Sequence, residues 1–299
     1  MFFIFNHPIY NHPLPEGHRF PMLKYELLPK QLLHEGTAEC TDFYSPDSID
    51  LSLVHAVHTV SYVKALTELT LDAKAVRSIG FPLSAALVER ELRIAQGTVV
   101  GCNHALEHGI AFNIAGGTHH AFSDRGEAFC LLNDQAIAAQ YLINQKKCHK
   151  ILIVDLDVHQ GNGTAEIFQN NADVITFSMH GQSNYPFRKE TSDYDIALPD
   201  KTDDTTYLSI LQETLPELLN IHRPDFVFYL AGVDILGTDK LGKLGCTLEG
   251  CKARDSYVLG LCKSLGIPVQ VSMGGGYSPA IKTIIEAHAN TYRVARALY

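Results

Sequence analysis

Residues 151–164 read ILIVDLDVHQGNGT, an apolar run that ends in alternating acidic and apolar residues. A continuous β-branched run of this length is typical of a parallel strand covered by helices on both faces. In an extended segment alternate side chains point to the same side, so Asp155, Asp157 and His159 can converge while Leu156 and Val158 pack away from them. The stretch therefore predicts a buried strand with polar groups at its carboxyl end.

Similar strands and helical patterns alternate along the second half of the chain. Strands are predicted at 151–156, 173–177, 226–231 and 269–273, and helices at 204–219, 248–265 and 279–298. Two longer helices are predicted at 84–107 and 131–145 in the N-terminal half, together with loops rich in Pro, His and Gly. Repeated strand–helix units without a linker or an internal repeat predict one open α/β domain over residues 1–299.

Composition excludes several classes of protein. The chain has 299 residues, of which 46% are hydrophobic, and 24 basic against 33 acidic residues give a net charge of −9. Such a surface repels nucleic acid, and it could attract basic peptides or polyamines, although moderate acidity is common. Seven scattered cysteines without a CxxC pair favour a reducing, cytoplasmic compartment, and no apolar stretch reaches the ~18 residues of a membrane span. The oligomeric state is not readable from the sequence.

A metal site is predicted where two strands end. Open parallel sheets bind ligands beyond the carboxyl ends of their strands, where Asp157, His159 and Asp234 fall. One imidazole nitrogen and two carboxylate oxygens match a catalytic zinc or a similar divalent ion. The alternative is that the aspartates cap helices and the histidine packs in the core.

Two further motifs carry reactive groups. His119 and His120 follow a glycine pair in GGTHHA (116–121), and neutral histidines are natural general bases. The chain has 15 histidines, so an adjacent pair is weakly specific. Tyr277 ends GGGY (274–277), and a tyrosine hydroxyl can donate a hydrogen bond to an oxyanion. A glycine turn with a packed aromatic ring is the alternative.

The motifs taken together are more specific than any one of them. GGTHHAFSDRGEAFCLLND (116–134), VDLDVHQGNGT (154–164), AGVD (231–234) and GGGY (274–277), in this order, resemble the histone deacetylase and acetylpolyamine amidohydrolase family. LPEGHRFPMLKYELL (14–28) and IGFPLS (79–84) look most like class IV deacetylases and their bacterial relatives. The resemblance implies an arginase-like α/β fold with a mostly parallel sheet of about eight strands flanked by helices.

The resemblance also implies roles for individual residues. Asp157, His159 and Asp234 would bind one Zn²⁺ per chain, and a second, potassium site would use backbone oxygens around Asp155, Asp157, His159, Ser178 and Met179. The catalytic groups would be His119, His120 and Tyr277, with Asp155 orienting His119. Asn162 stands beside His120 where many members of the family carry Asp, and it should stabilise a charged His120 less.

The same resemblance implies a narrow tunnel for an acyl-lysine stem. Its walls would be Ala128, Phe129, Tyr185, Gly275 and Gly276, and the position of Ala128 is usually glycine in the family. Arg19 would lie near the inner end, where acetate leaves.

The predicted function is a zinc-dependent amidohydrolase that removes an acetyl or longer acyl group from lysine in proteins or peptides. Three alternatives stay open: deacetylation of acylated polyamines, a non-catalytic acyl-lysine binding module, and a dimanganese ureohydrolase on the same architecture.

Overall fold

One parallel β-sheet forms the centre of the computed structural model, which describes residues 2–299. Its strands are β1 Ile4–Phe5, β2 Phe43–Tyr44, β3 Ile110–Asn113, β4 Ile151–Asp155, β5 Val174–Gly181, β6 Tyr194–Leu198, β7 Phe226–Leu230 and β8 Val269–Ser272. They lie in the order β2-β1-β3-β8-β7-β4-β5-β6, and every pairing is parallel. The prediction of a mostly parallel sheet of about eight strands is confirmed.

Helices connect and flank these strands. The α-helices of residues 2–299 are α1 Lys24–His34, α2 Leu51–Val54, α3 Val60–Thr67, α4 Ala73–Ile79, α5 Ala85–His108, α6 Asp134–Asn144, α7 Asn162–Phe168, α8 Asp204–His222, α9 Leu248–Leu265 and α10 Ile281–Leu298. Strands β3, β4, β7 and β8 are buried at every position. Within the described part of the chain, no helix is both long and apolar enough to cross a bilayer.

Local capping explains most helix boundaries. The helix predicted at 248–265 has those bounds, because the side chain of Thr247 accepts a hydrogen bond from Gly250 N and Gly266 adopts a left-handed φ of 66°. The helix predicted at 131–145 begins later, at Asp134, because Asn133 caps it through Ala136 N.

Some strands differ from the prediction. Strand β5 continues to Gly181, four residues beyond the predicted end at 177, because Ser178 and His180 are buried in spite of their polarity. Strands β1 and β2 have only two residues each, too few to show a pattern, and β6 is partly exposed. These strands, together with β3, were not predicted.

A buried arginine joins the ends of the two strands that carry the acidic motifs. Strands β4 and β7 are neighbours, with Asp155 opposite Leu230, so the loops after them leave the sheet side by side. Arg254 of α9 is fully buried, and its Nη1 donates to the carbonyl oxygens of Gly232 at 2.6 Å and Leu156 at 3.2 Å. Its Nη2 lies 2.8 Å from Oδ1 of Asp255. Helix α9 thus fixes both loops relative to each other.

Arg254→Met is expected to lower the free energy of unfolding by about 3–5 kcal/mol, because Asp255 would stay buried without its cation. Urea unfolding followed by circular dichroism measures the loss. The double variant Arg254→Met/Asp255→Asn removes both charges and should recover part of it. An equal or larger loss in the double variant would contradict the importance of the ion pair.

Candidate active site

Three buried side chains meet at the carboxyl ends of β4 and β7. Asp157, His159 and Asp234 each offer a ligand atom within 4.8 Å of the other two. Nδ1 of His159 lies 3.0 Å from Oδ1 of Asp157 and 3.2 Å from Oδ2 of Asp234. The structure therefore brings together the three residues that the sequence singled out.

The bonding of the two carboxylates leaves room for a cation. Oδ2 of Asp157 accepts from Gly275 N at 2.8 Å, and Oδ1 of Asp234 accepts from Val158 N at 3.0 Å. Oδ2 of Asp234 is buried without a hydrogen-bond donor among residues 2–299. A Cβ at position 275 would lie 2.0 Å from that oxygen, so glycine keeps the space beside it open.

Electrostatics favours a divalent ion in this space. Burial, reinforced by the charge of Asp157, raises the pKa of Asp234 to about 7, since two carboxylates resist ionising together in the interior. A cation would compensate both charges. One nitrogen and two oxygen donors suit zinc and similar divalent ions, so the residues fit such a metal.

Two adjacent histidines have different partners and opposite charge preferences. Nδ1 of His119 lies 2.7 Å from Oδ2 of Asp155, whereas Nδ1 of His120 lies 2.6 Å from Oδ1 of Asn162. Burial opposes a charged His119, but the carboxylate of Asp155 outweighs it and raises the pKa. Burial, with His119 and His159 nearby, holds the pKa of His120 well below its usual range. Of the two imidazoles, His119 therefore takes a charge more readily than His120.

An acidic residue of α6 holds the loop that carries this pair. Asp134 accepts from both the backbone nitrogen of Thr118, at 2.9 Å, and its hydroxyl, at 2.7 Å. Gly117 has a φ of 74°, and a Cβ there would lie 2.9 Å from Leu230. Only glycine suits this approach to the sheet. Asp134 lies in one of the sequence motifs, but the sequence did not show its role.

Tyr277 lies next to Asp157, His159 and Asp234, which we call the metal-fitting group. Its backbone nitrogen donates to Oδ2 of Asp239 at 2.6 Å, and its ring is edge-on to His159 at 6.3 Å. Burial, together with Asp157 and Asp234, holds the pKa of Tyr277 well above its usual range. The hydroxyl therefore stays protonated and able to donate a hydrogen bond.

A narrow passage joins an inner cavity of about 40 Å³ to an outer groove of about 360 Å³. The residues that line both are His120, Ala128, Phe129, His159 and Tyr277. Phe20 packs edge-on against Phe129 at 5.0 Å, and Tyr185 packs edge-on against His120 at 5.1 Å. The passage is therefore walled mainly by aromatic rings.

A left-handed turn positions one of these walls. Ala128 and Phe129 have φ values of 44° and 70°. Their backbone nitrogens donate to the carbonyl oxygens of Ser78 and Ile79, at 2.9 and 2.6 Å, where α4 ends. These two bonds hold the unusual turn and direct the Phe129 ring into the passage.

Comparison with known proteins matches residues 18–292 to the histone deacetylase domain. The chain belongs to the histone deacetylase family. It is 47% identical over 293 residues to an uncharacterized protein of Picosynechococcus sp., across 98% of each chain. It is 28% identical over 279 residues to histone deacetylase 2 of Arabidopsis thaliana, across 90% of this chain and 72% of that protein.

A crystal structure of an HDAC homolog complexed with SAHA has the same fold, with a TM-score of 0.86 at 22% identity over 100% of this chain and 84% of the other. The protein is thus a histone deacetylase-family hydrolase with the fold that the resemblance implied.

One predicted tunnel residue lies at the outer groove rather than at the inner end. Arg19 was expected at the inner end, but it is exposed and lines the outer groove, with its guanidinium 4.9 Å from the centre of the Phe129 ring. The rings of His18 and Phe20 pack against Phe129, so the residue between them points outwards. The buried Arg90 lines the inner cavity instead.

That Gly276 walls the tunnel stays a prediction. A Cβ at that position would lie 2.6 Å from Cγ2 of Val233, so there is no room there for a side chain. Gly275 does line the inner cavity, as predicted.

The sequence did not reveal a buried lysine beside the acidic group. Lys24 is fully buried, and its Nζ donates to the carbonyl oxygen of Gly274 at 3.0 Å. Burial lowers its pKa to about 8, while the charges of Asp234 and Asp157 oppose the shift. A lysine at the start of an amphipathic helix is usually solvent-exposed, so the pattern gave no signal.

The potassium site stays a prediction. The β4–β5 register places Asp155 opposite Ser178, and both Ser178 and Met179 are buried. The hydroxyl of Ser178 lies 3.0 Å from Nδ1 of His180.

Adding zinc to metal-free protein is expected to fill one site per chain and raise the Tm, because a cation relieves the repulsion between Asp157 and Asp234. Calorimetric titration and thermal unfolding measure both effects. Asp234→Asn should weaken zinc binding by more than about 100-fold, since even outer partners of a metal contribute 10–100-fold. The exposed Asp47→Asn is the matched control. Two ions per chain would instead favour a ureohydrolase.

Proposed function

We propose that residues 1–299 form one catalytic domain that hydrolyses the amide of acetyl-lysine with a zinc ion held by Asp157, His159 and Asp234. The observation that carries the proposal is the convergence of three groups around one passage. A neutral imidazole, a protonated tyrosine and His159 line it, and Asp157 and Asp234 each offer a ligand atom within 4.8 Å of that of His159. The seven free cysteines support a reducing, cytoplasmic location.

The chemistry begins with proton transfer to His120. A bound zinc supplies Lewis acidity, which polarises an amide carbonyl and lowers the pKa of a water molecule. Since Asn162 offers its carbonyl oxygen to Nδ1 of His120, that nitrogen carries the proton and Nε2 is free to accept one from the attacking water.

Two other groups stabilise the negative charge that develops during this attack. Tyr277 donates its hydroxyl hydrogen to the oxyanion that forms on the former carbonyl oxygen. His119 lies beside His120, and Asp155, against the effect of burial, raises the pKa of His119 and so favours its charged form. The leaving amine then takes a proton from an imidazolium of the pair, and acetate and lysine are the products.

The shape of the passage supports an acetylated, linear amine. The rings of Phe20, Phe129 and Tyr185 suit the apolar stem of a lysine side chain. The inner cavity of about 40 Å³ equals the space of about three water molecules. An acetyl group has three heavy atoms, so the cavity favours acetyl over longer chains. An acetylated polyamine has a similar apolar stem, so the passage suits either substrate.

Zinc-loaded protein is expected to release acetate from a peptide with a single acetyl-lysine. Butyryl and myristoyl versions of the peptide should react at least about tenfold more slowly, because the inner cavity is small. Tyr277→Phe should lower kcat about 10²–10³-fold with unchanged zinc content, because it removes one donor to the oxyanion. His120→Ala should be similarly inactive.

Steady-state assays and metal analysis of the same samples decide between the outcomes. Full activity in Tyr277→Phe would remove that residue from the mechanism. A zinc-loaded protein that releases no acyl group from any peptide would favour a binding role instead.

Asn162→Asp is expected to move the acidic limb of the kcat/KM profile to higher pH by about 1 unit or more. A carboxylate stabilises the imidazolium and so raises the pKa of His120. Because His120 accepts a proton only when neutral, the variant should be slowed at the acidic end of the profile and recover as the pH rises. Asn162→Ala adds no charge and should not shift the limb upward. An unchanged limb in Asn162→Asp would show that His120 is not the base.

A further inference from the structure

The charged side chains that line the outer groove are all cationic. They are Arg19, Lys240 and Lys243, and each is exposed. Among residues 2–299 no carboxylate lines this groove, although the whole chain carries a net charge of −9. The entrance of the groove is therefore positively charged, whereas the protein as a whole is negatively charged. We call these three residues the basic rim.

The basic rim comes from two separate segments, the loop before α1 and the loop between β7 and α9. Arg19 lies over the ring of Phe129 at 4.9 Å, and Nζ of Lys243 lies 3.2 Å from both the carbonyl oxygen and the hydroxyl of Ser183. Among residues 2–299, the rim residues form no ion pair. Their charges are thus available to a substrate.

Three carboxylates near the groove accept hydrogen bonds from other groups of the protein. Asp239 accepts from the backbone nitrogens of Leu241, Gly242 and Tyr277. Glu127 accepts from the hydroxyl of Tyr185, and its other oxygen lies 4.0 Å from Nε of Arg125. Asp200, near Lys243, accepts from the hydroxyl of Ser183. These partners engage all three carboxylates within the protein.

We propose that the basic rim makes the enzyme select acetyl-lysines with acidic flanking residues and disfavour polycations such as acetylated polyamines. This inference rests on the proposed deacetylase function. With the acetylated side chain in the passage, the neighbouring residues of a peptide lie at the rim. The rim attracts two or three acidic residues of the peptide across roughly 10 Å of water. At low salt this attraction raises kcat/KM about tenfold. An acetylated polyamine instead brings an ammonium group to the same cations.

The test compares zinc-loaded full-length protein on three peptides of equal length with one central acetyl-lysine. The flanking residues are Asp and Glu, Ser and Gly, or Lys and Arg, and N-acetylputrescine is the fourth substrate. At low salt kcat/KM should be about tenfold higher for the acidic than for the neutral peptide, and lowest for the basic peptide and the polyamine. The ratio should approach one in 0.5 M salt, where exposed charges are screened.

Charge reversal at the rim provides the decisive variant. Lys240→Glu/Lys243→Glu should invert the order of the acidic and basic peptides while keeping kcat for the neutral peptide within about twofold. The control Lys146→Glu/Lys263→Glu makes the same charge change at two lysines that precede β4 and β8 in the sequence. They lie towards the amino ends of the strands, away from the groove, so this variant should keep the original order. Lys240→Gln/Lys243→Gln should abolish the preference for the acidic peptide. This neutral variant replaces the charge-reversed variant in the test if the latter does not fold.

Different outcomes would contradict the role of the basic rim and the proposed deacetylase function. Equal kcat/KM on all three peptides, or faster turnover of the basic peptide or the polyamine, would overturn the inference and leave the deacetylase intact. Loss of the preference in the control variant as well would assign it to net charge and overturn the role of the rim. No acetate from any peptide would overturn the proposed function, and this inference with it.

Discussion

Repulsion between two buried carboxylates is the constraint that organises the interior of this protein. Asp157 and Asp234 lie at the ends of neighbouring strands, and the polar groups around them offset their charge. Backbone nitrogens of Val158 and Gly275 donate to them, and the ammonium of Lys24 is buried nearby. His159 lies between Asp157 and Asp234, and against the effect of burial the two carboxylates raise its pKa to about 10. One oxygen of Asp234 still has no hydrogen-bond donor among residues 2–299, so the compensation by hydrogen bonds is incomplete. A divalent ion would complete it.

His119 and His120 differ in basicity because their hydrogen-bond partners differ. Both rings are buried, and their centroids are 4.1 Å apart. One faces a carboxylate and the other an amide, and this difference reverses the direction in which burial alone would move the first pKa. A charge on His119 in turn lowers the pKa of His120. The difference in basicity is therefore a property of the pair rather than of either residue.

The sequence predicted the centre of the sheet and the polar residues at its edge, because buried parallel strands appear as continuous apolar runs with polar residues immediately after them. It did not predict β1 and β2, since two-residue strands carry no periodicity. It misplaced Arg19 because a motif match gives no side-chain direction in a loop. The buried Lys24 and the clustering of Lys240 with Arg19 arise only when distant segments meet in space, so no local pattern contains them.

The turn at Ala128 and Phe129 is held from outside the site by the end of α4. Gly80, which ends that helix, is so close to Phe129 that a Cβ there would lie 3.1 Å from the ring. Most residues of α4 are exposed. The width of the passage can therefore diversify during evolution through a surface helix, while the groups that break the amide bond stay unchanged.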